Sequence, residues 1–440
     1  MKNNNEMIEW FRSSSTYINT HRNKIFVVLL GGEALESENL PNIIYDLNLL
    51  HSLGVKLVLV HGSRPQITAA LAAAGKQSSY HLKRRITEAD CMTTIKQVVG
   101  GLSFDLEAMF SMGLPNSPMQ GTDIRVCRGN FVTAKPLGIH DGVDFHYTGK
   151  VRKIQTRAIE QQLAQNNIVL LSNLGYSRTG EVFNLTVEEV ATEAAIALNA
   201  DKLILFIPGD GVRDQNGDLI TALTETDARR HAHELAARDD GESICVSHAL
   251  DAALKAYANK VHRSHLISFD KNGALLQELF TREGNGSLIS DDNFDELRDA
   301  TIDDVVGIIE LIRPLEQEGS LVARSRELLE TEIGNFKVVE LEGTIIACAA
   351  LYPFSDKRGE VACIAIHPHY QKNGFGERLL ESLEKKARGL KLETLFVLTT
   401  VAAHWFIEKG FAEGTLSDLP EQKQKLYNFQ RRSKVLLKRL

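Results

Sequence analysis

The sequence predicts two domains of different class: an α/β domain built on a mainly parallel sheet with helices on both faces, then a smaller α+β domain. Three observations carry this. From Lys24 onward, runs that are apolar at nearly every residue (KIFVVLL, VKLVLVHG, KLILFIP) alternate with helical patterns. Strands without polar alternation are buried on both faces, as in a parallel sheet covered above and below. At 440 residues the chain has room for two or three domains, each with its own core. The texture then changes between Ser287 and Arg298, where SLISDDNFDELR is acidic and shows no clear strand, as expected of a linker.

The elements follow in order. Residues 5–18 place Met7, Ile8, Trp10, Phe11, Tyr17 and Ile18 at spacings that a helix partly aligns, a stripe that needs a partner. KIFVVLL reads as a buried strand, GGEAL as a turn opening a helix, and NIIYDLNLLHSLG as an amphipathic helix ended by Gly54. VKLVLVHG, NNIVLLSNLG and KLILFIP are further strands, and RSHLISF and GALLQELF continue the pattern to about Gly286. Beyond the linker come a helix (DDVVGIIELIRPL), a hairpin (FKVVELEGTIIACAALYPF, turning near Leu341–Gly343), a strand (EVACIAIHP), another strand (ETLFVLTT) and a short helix (AHWFIEKGF). The expected division is an N-terminal helix at 1–21, an α/β domain at 22–287, a linker at 288–297 and the α+β domain at 298–440.

Bulk chemistry narrows the function. A formal net charge of −7 argues against non-specific nucleic-acid binding. Five scattered cysteines without CxxC spacing suggest reduced thiols and give no zinc site. No apolar run approaches the roughly 18 residues of a bilayer span, and no signal pattern opens the chain, so a cytoplasmic protein without membrane or metal is expected.

The stretch Ala365–Leu380, AIHPHYQKNGFGERLL, carries chemistry. Pro368 stops a strand, and Gln371, Gly374 and Gly376 define a QxxGxG turn whose glycines let backbone N–H groups approach an anion. The helix that follows aims its positive end at that turn and carries Leu379, Leu380, Leu383, Ala387 and Leu390 as a packing stripe. A dinucleotide fingerprint is excluded, because the GxGxxG pattern and a downstream ribose-binding acid are both missing.

With RDAT and DD at 298–304, EVACIAIHPHYQKNGFGERLL and FVLTT…HWFIEKGF, this region resembles the GNAT superfamily of N-acetyltransferases. LVARSRELLE (321–330) and LYNFQRRSKVLL (426–437) extend the resemblance to the two-domain N-acetylglutamate synthases, and the N-terminal domain carries it over essentially the whole chain. The resemblance implies transfer of acetyl from acetyl-CoA, a co-substrate rather than a resident cofactor, to the α-amino group of L-glutamate, as the first step of arginine biosynthesis. Such chemistry needs a base for the substrate ammonium, a donor for the oxyanion and an acid for the departing thiolate.

By this resemblance, Glu360 is the base. Cys363, Ile364, Ala365 and Ile366 offer backbone to the co-substrate, and Gln371, Lys372, Asn373, Gly374, Phe375, Gly376 and Glu377 form its pyrophosphate cradle. The Cys363 side chain is read as core, since the superfamily transfers acetyl directly. Thr399 is the expected acid, with Tyr427 the other candidate. The dicarboxylate acceptor calls for guanidinium forks, one from Arg324 or Arg326 and one from Arg431 or Arg432; Ala323 stands where close relatives carry arginine.

VVLLGGEAL (27–35) and LVHGSRPQI (59–67) resemble the two glycine loops of the amino-acid kinase family, especially the acetylglutamate kinases. Leu29 replaces that family's lysine, Glu188 holds the acidic place in NLTVEE, Ile207–Pro208 replaces the nucleotide TD pair, and CVSHALDAALK lacks the second lysine stretch. Phosphoryl transfer depends on positioning and charge neutralisation, so kinase activity is not expected. What remains resembles the arginine-sensitive members: WFRSSSTYINTHR (10–22), HLIS (265–268) and ELFTREGNG (278–286). This implies a homo-oligomer, a hexamer interlaced by the N-terminal helix, and an inhibitory L-arginine site with Tyr17, His265, Glu278, Gly284 and Gly286. The rivals are a bifunctional kinase, which Leu29 opposes, a non-catalytic arginine sensor, and an acetyltransferase for another amino acid.

Overall fold

The structure is a computed structural model that describes residue 15 and residues 17–440, apart from 113–123, 215–216, 239, 282–283, 291–294, 342–343, 372–373 and 426–432. It divides into two compact units, Met1–Asp292 and Asn293–Leu440.

The first unit is organised by an eight-stranded sheet. Its strands are β1 (Ile25–Leu30), β2 (Lys56–His61), β3 (Val126–Cys127), β4 (Ile168–Ser172), β5 (Lys202–Ile207), β6 (Ala222–Leu223), β7 (Arg263–Ser268) and β8 (Ser287–Ser290). The spatial order is β6-β8-β7-β5-β1-β2-β4-β3, and every pairing is parallel except β7 with β8. In β1, Val27 and Leu29 point into one apolar cluster while Phe26, Val28 and Leu30 point into another. That double burial is why the strand reads as continuously hydrophobic. Helix α1 (Leu40–Ser52) buries Ile43, Ile44, Leu47 and Leu50 in the second cluster, and α2 (Val187–Ala197) buries Val190, Ala191, Ala194 and Ala195 in the first. A four-stranded sheet formed by 132–136, 149–154, 174–176 and 182–184 lies beside the main one.

The second unit has a seven-stranded sheet: β9 (Asp295–Asp299), β10 (Phe336–Leu341), β11 (Thr344–Pro353), β12 (Arg358–Ile366), β13 (Thr394–Thr399), β14 (Ala412–Glu413) and β15 (Lys434–Arg439). The order is β9-β10-β11-β12-β13-β15-β14, and β12 with β13 is the one parallel pair in it. Helix α3 (Val305–Gln317) packs Val305, Ile308, Leu311 and Ile312 into one cluster; α4 (Phe375–Gly389) packs Leu379, Leu380, Leu383 and Ala387 into another. Leu390, expected on that stripe, lies past the helix end and is half exposed.

The division between the units, at Asp292 and Asn293, falls within the expected 288–297 linker, but strands enter that segment. Ser287–Ser290 is a strand of the first unit and Asp295–Asp299 a strand of the second, so order reaches into 288–297 from both sides. Four residues with alternating burial are enough to pair with the edge of β7, and an acidic composition does not prevent it.

Candidate active site

Strands β12 and β13 are joined at only three positions, Arg358↔Thr394, Gly359↔Leu395 and Glu360↔Phe396. Gly359 permits this join, because a Cβ there would lie 2.8 Å from Leu392 Cδ1 and 3.0 Å from Leu395 Cδ2. Beyond Glu360 the strands diverge, and residues 361–366 have no pairing with β13. On its other edge β12 carries a bulge: Cys348 faces Ala365 and Ala350 faces Ala362, so Cys363 and Ile364 together oppose Ala349. Cys363 takes φ of 53°, a left-handed conformation that costs a non-glycine residue about 1 kcal/mol. Its side chain turns into the buried cluster under α3, where Cys348 Sγ donates to Cys363 O at 3.6 Å.

The divergence opens a cleft of about 990 Å³, in the size range of a site for a substantial ligand. Ile364, Ile366, Val397 and Thr399 line its walls; Gly374, Phe375, Gly376 and Glu377 bring the N-terminus of α4 to it. Gly374 precedes that helix with φ of 75° and leaves open space where a side chain would stand. A Cβ on Gly376 would meet Ile366 and Trp405 at 3.2 Å, so the first turn packs close to the strand. Unpaired N–H groups at this helix end make an anion seat. Glu377 ion-pairs with Lys409 there.

At the root of the cleft the Glu360 side chain is 9% exposed, and its Oε2 receives Lys423 Nζ at 2.7 Å. Directly across β11, Tyr352 faces Glu360 in register and donates to Glu332 Oε2 at 2.8 Å. Burial, with the Glu332 bond, pushes the Tyr352 phenol above its usual range. Arg324 lines the same end, with its amide donating to Glu316 Oε1 at 2.9 Å. Burial opposes its charge, but Cys363, Tyr352 and Glu360 around it raise its pKa on balance, so it is a firm cation. Thr399 ends β13, and its Oγ1 accepts from the amides of Val401 and Ala402 at 3.3 and 3.0 Å. Both bonds use the oxygen, which leaves the hydroxyl proton for another acceptor.

The first unit offers two places. Between its glycine loops, Leu29, Gly31, Gly32, Ser63, Arg64 and Glu188 surround about 70 Å³, room for a couple of waters. Gly32 and Gly62 pack closely together, Arg64 lies 3.7 Å from Glu188, and the space is far too small for a nucleoside triphosphate. The second place is polar and buried. His265 Nδ1 is 2.6 Å from Glu278 Oε1, and His265 Nε2 is 3.4 Å from Lys202 Nζ. Gly284 takes φ of 65° and a Cβ on it would strike Glu278 Oε2 at 2.7 Å; a Cβ on Gly286 would overlap Leu266 O. Tyr17 is half-buried against the apolar cluster that holds Leu279 and Phe280, its ring 6.4 Å from that of His21, whose Nε2 lies 3.0 Å from Leu279 O.

Residues 24–268 match the amino acid kinase family and residues 305–411 the acetyltransferase (GNAT) family. The amino-acid acetyltransferases of Ectopseudomonas mendocina and Azotobacter vinelandii are each 52% identical over 436 residues, 99% of this chain and all of theirs. The chain belongs to the amino-acid acetyltransferase family. The crystal structure of N-acetylglutamate synthase from Neisseria gonorrhoeae complexed with coenzyme A and L-arginine is similar at a TM-score of 0.86, with 35% identity, covering 98% of this chain and 99% of that one. A structure of N-acetylglutamate synthase from that organism complexed with coenzyme A and N-acetyl-glutamate has a TM-score of 0.61 at the same identity and coverage.

In this acetyltransferase the cleft gathers Glu360, Cys363, Ile364, Ile366, Gly374, Phe375, Gly376, Glu377, Thr399 and Arg324. Arg326 and Gln371 do not line it, and Ala365 stays on its β12 wall between Ile364 and Ile366 with its side chain turned away. Arg326 opens a helix at 326–332 with its side chain 68% exposed and paired to Glu330 at 2.7 Å; Leu329, not Arg326, is on the inward face. Gln371 is exposed beside the turn, and Ala365 is buried facing Cys348. Lys372, Asn373, Tyr427, Arg431 and Arg432 lie outside the described residues. Sequence reasoning missed Tyr352, Lys423, Glu332 and Trp405. Only Tyr352 left a trace, as the aromatic residue near the end of a strand expected to neighbour that of Glu360. Among the described residues no group of three His, Cys, Asp or Glu could hold a metal, and no helix is long and apolar enough to cross a membrane.

Proposed function

We propose that this acetyltransferase moves acetyl from acetyl-CoA to the α-amino group of L-glutamate, giving N-acetyl-L-glutamate and CoA, and that L-arginine bound at the His265–Glu278 network inhibits it. The observation that carries the reading is a buried Glu360 carboxylate where β12 and β13 part, with the cations Lys423 and Arg324 at the same end of the cleft. Glu360 takes a proton from the bound ammonium, freeing the lone pair that attacks the thioester carbonyl. Backbone N–H groups of β12 beyond Glu360 face the co-substrate and the charge that develops on its carbonyl oxygen. Collapse expels the CoA thiolate, and Thr399 gives it a proton. The α4 N-terminus, with Gly374 and Gly376, cradles the pyrophosphate. The cleft performs this step without a covalent acetyl-enzyme, with the Cys363 side chain turned into the core.

Free-thiol release from acetyl-CoA, measured with each amino acid and with or without arginine, tests it. Release with L-glutamate that arginine suppresses is expected; release that does not depend on glutamate overturns the substrate. We also infer a hexamer interlaced by the N-terminal segment: removing residues 1–20 is expected to weaken the arginine effect in the same assay and to reduce particle size on gel filtration.

A further inference from the structure

Lys423 belongs to a short helix, Glu421–Lys425, seated by backbone bonds from Lys423 N and Gln424 N to Pro420 O at 2.8 and 3.0 Å. The Gln424 side-chain amide donates to Leu419 O at 2.7 Å. From that seat Lys423 reaches Glu360 Oε2 at 2.7 Å with its own side chain 28% exposed. Among the described residues that line the cleft, Lys423 and Arg324 are the cations. Arg324 is surrounded by Glu316, Tyr352 and Cys363, whereas Lys423 is placed on the proposed base itself.

An ammonium held on that carboxylate is a poor neighbour for a plain amine, because two like charges would compete for one anion. The conflict disappears for an acceptor that carries its own anion one carbon away from its ammonium. An α-amino acid is such a molecule, and its two charges can lie head to tail along an ion pair of this size. We propose that the Glu360–Lys423 pair is a receptor for the zwitterionic α-amino-acid group, and that Lys423 is the specificity-determining residue that takes the α-carboxylate. This rests on the reading of Glu360 as the base. When the acceptor binds, its ammonium takes the Lys423 place on Glu360 and its α-carboxylate takes the Glu360 place on Lys423. One ion pair becomes two, and no charge is stranded in the cleft. Amines without an α-carboxylate leave Lys423 opposed to them and are turned away.

The test compares kcat/KM of Lys423→Met with that of the unaltered enzyme for three acceptors: L-glutamate, L-glutamine and L-glutamate α-amide. Removing a charge-assisted hydrogen bond from a partly buried site lowers kcat/KM by about ten- to a hundredfold. That loss is expected with L-glutamate and L-glutamine, which keep the α-carboxylate, and a loss under about threefold is expected with the α-amide. Lys423→Arg is expected to recover most of the activity, and the KM for acetyl-CoA to stay unchanged in both variants. An equal loss for all three acceptors would show that Lys423 acts only through Glu360 and overturn the proposal. So would a loss that vanishes with L-glutamine and persists with the α-amide, which would place the lysine on the side-chain carboxylate. If the unaltered enzyme does not use L-glutamate, the substrate reading fails separately. The acid and α-amide forms of the amino acid it does use then carry the same comparison.

Discussion

His265 Nδ1 lies 2.6 Å from Glu278 Oε1, and the amides of Asn285 and Gly286 donate to Glu278 Oε2 at 2.7 and 3.0 Å. Three of the four or so lone-pair directions of this carboxylate are therefore used. Burial alone would raise the Glu278 pKa, but the bonds from His265 and the two amides hold it below its ordinary value. An anion kept charged inside a protein, with capacity for one more donor, suits a guanidinium. Glu278→Gln is expected to raise the arginine concentration for half-inhibition at least tenfold in the thiol-release assay, the size of one charge-assisted hydrogen bond. An unaltered arginine response would remove Glu278 from the proposed site.

His61 ends β2 with its Nε2 2.8 Å from Ser103 Oγ, and burial pulls its pKa down from 6.5 to about 4, with the Arg128 charge acting in the same direction. Both folded and unfolded chains leave it neutral above the unfolded value. As pH falls through 6.5 toward 4, the unfolded chain takes up a proton that the folded chain refuses, so stability is lost across that window, by about 3 kcal/mol at its lower end. Other groups titrate there too, so the measurement is a difference. Urea unfolding at pH 7 and pH 4.5 is expected to show a smaller pH-dependent loss in His61→Gln than in the unaltered chain. Equal losses in both would show that this histidine does not carry the effect.

The Glu360 carboxylate is the proposed destination of the acceptor's proton. Glu360→Gln keeps the shape and removes the base, and a fall in kcat of at least tenfold is expected, in line with general-base effects. A second readout separates a base from a structural residue. Raising the pH frees more of the acceptor amine in solution, so the gap between variant and unaltered enzyme should narrow toward alkaline pH. A gap that stays constant across pH would count against Glu360 as the base.

Local chemistry makes much of this legible from the residues alone. The double-sided burial of β1 and the stop at Pro368 before a glycine turn are properties of neighbouring residues, and a sequence displays those directly. What it does not display depends on partners far along the chain. The bulge at Cys363 exists because β11 and β12 differ by one residue in register, and nothing in EVACIAIHP announces it. Arg324 and Arg326 are equivalent as residue types. The Ser325 side chain that accepts from Leu328 N starts a helix between them, and its phase sends one toward the cleft and the other to solvent. Lys423 is 63 residues from Glu360 (423 − 360) in a five-residue helix with no apolar periodicity, so only the folded chain joins them. The difference in 288–297 is of another kind: an acidic composition suggests a linker, yet Asp295–Asp299 forms the edge strand of the second sheet, where charged residues are tolerated.

The Thr399 hydroxyl has two tasks, which a change of acetyl donor separates. As an acceptor it holds the Val401 and Ala402 amides in the turn that precedes the short helix at Ala403–Glu408. As a donor it is the proposed source of the proton for the CoA thiolate. Thr399→Val removes both, and Thr399→Ser keeps both. The valine variant is expected to lose about 1 kcal/mol of stability through the lost turn hydrogen bonds, as measured by thermal unfolding. Its turnover with acetyl-CoA should fall about tenfold or more. Acetyl thioesters of more acidic thiols need less help in leaving, so with such a donor the turnover deficit of the valine variant should shrink while its stability deficit stays the same. If the deficit in turnover is equal for both donors, Thr399 acts by holding the loop and another group protonates the thiolate.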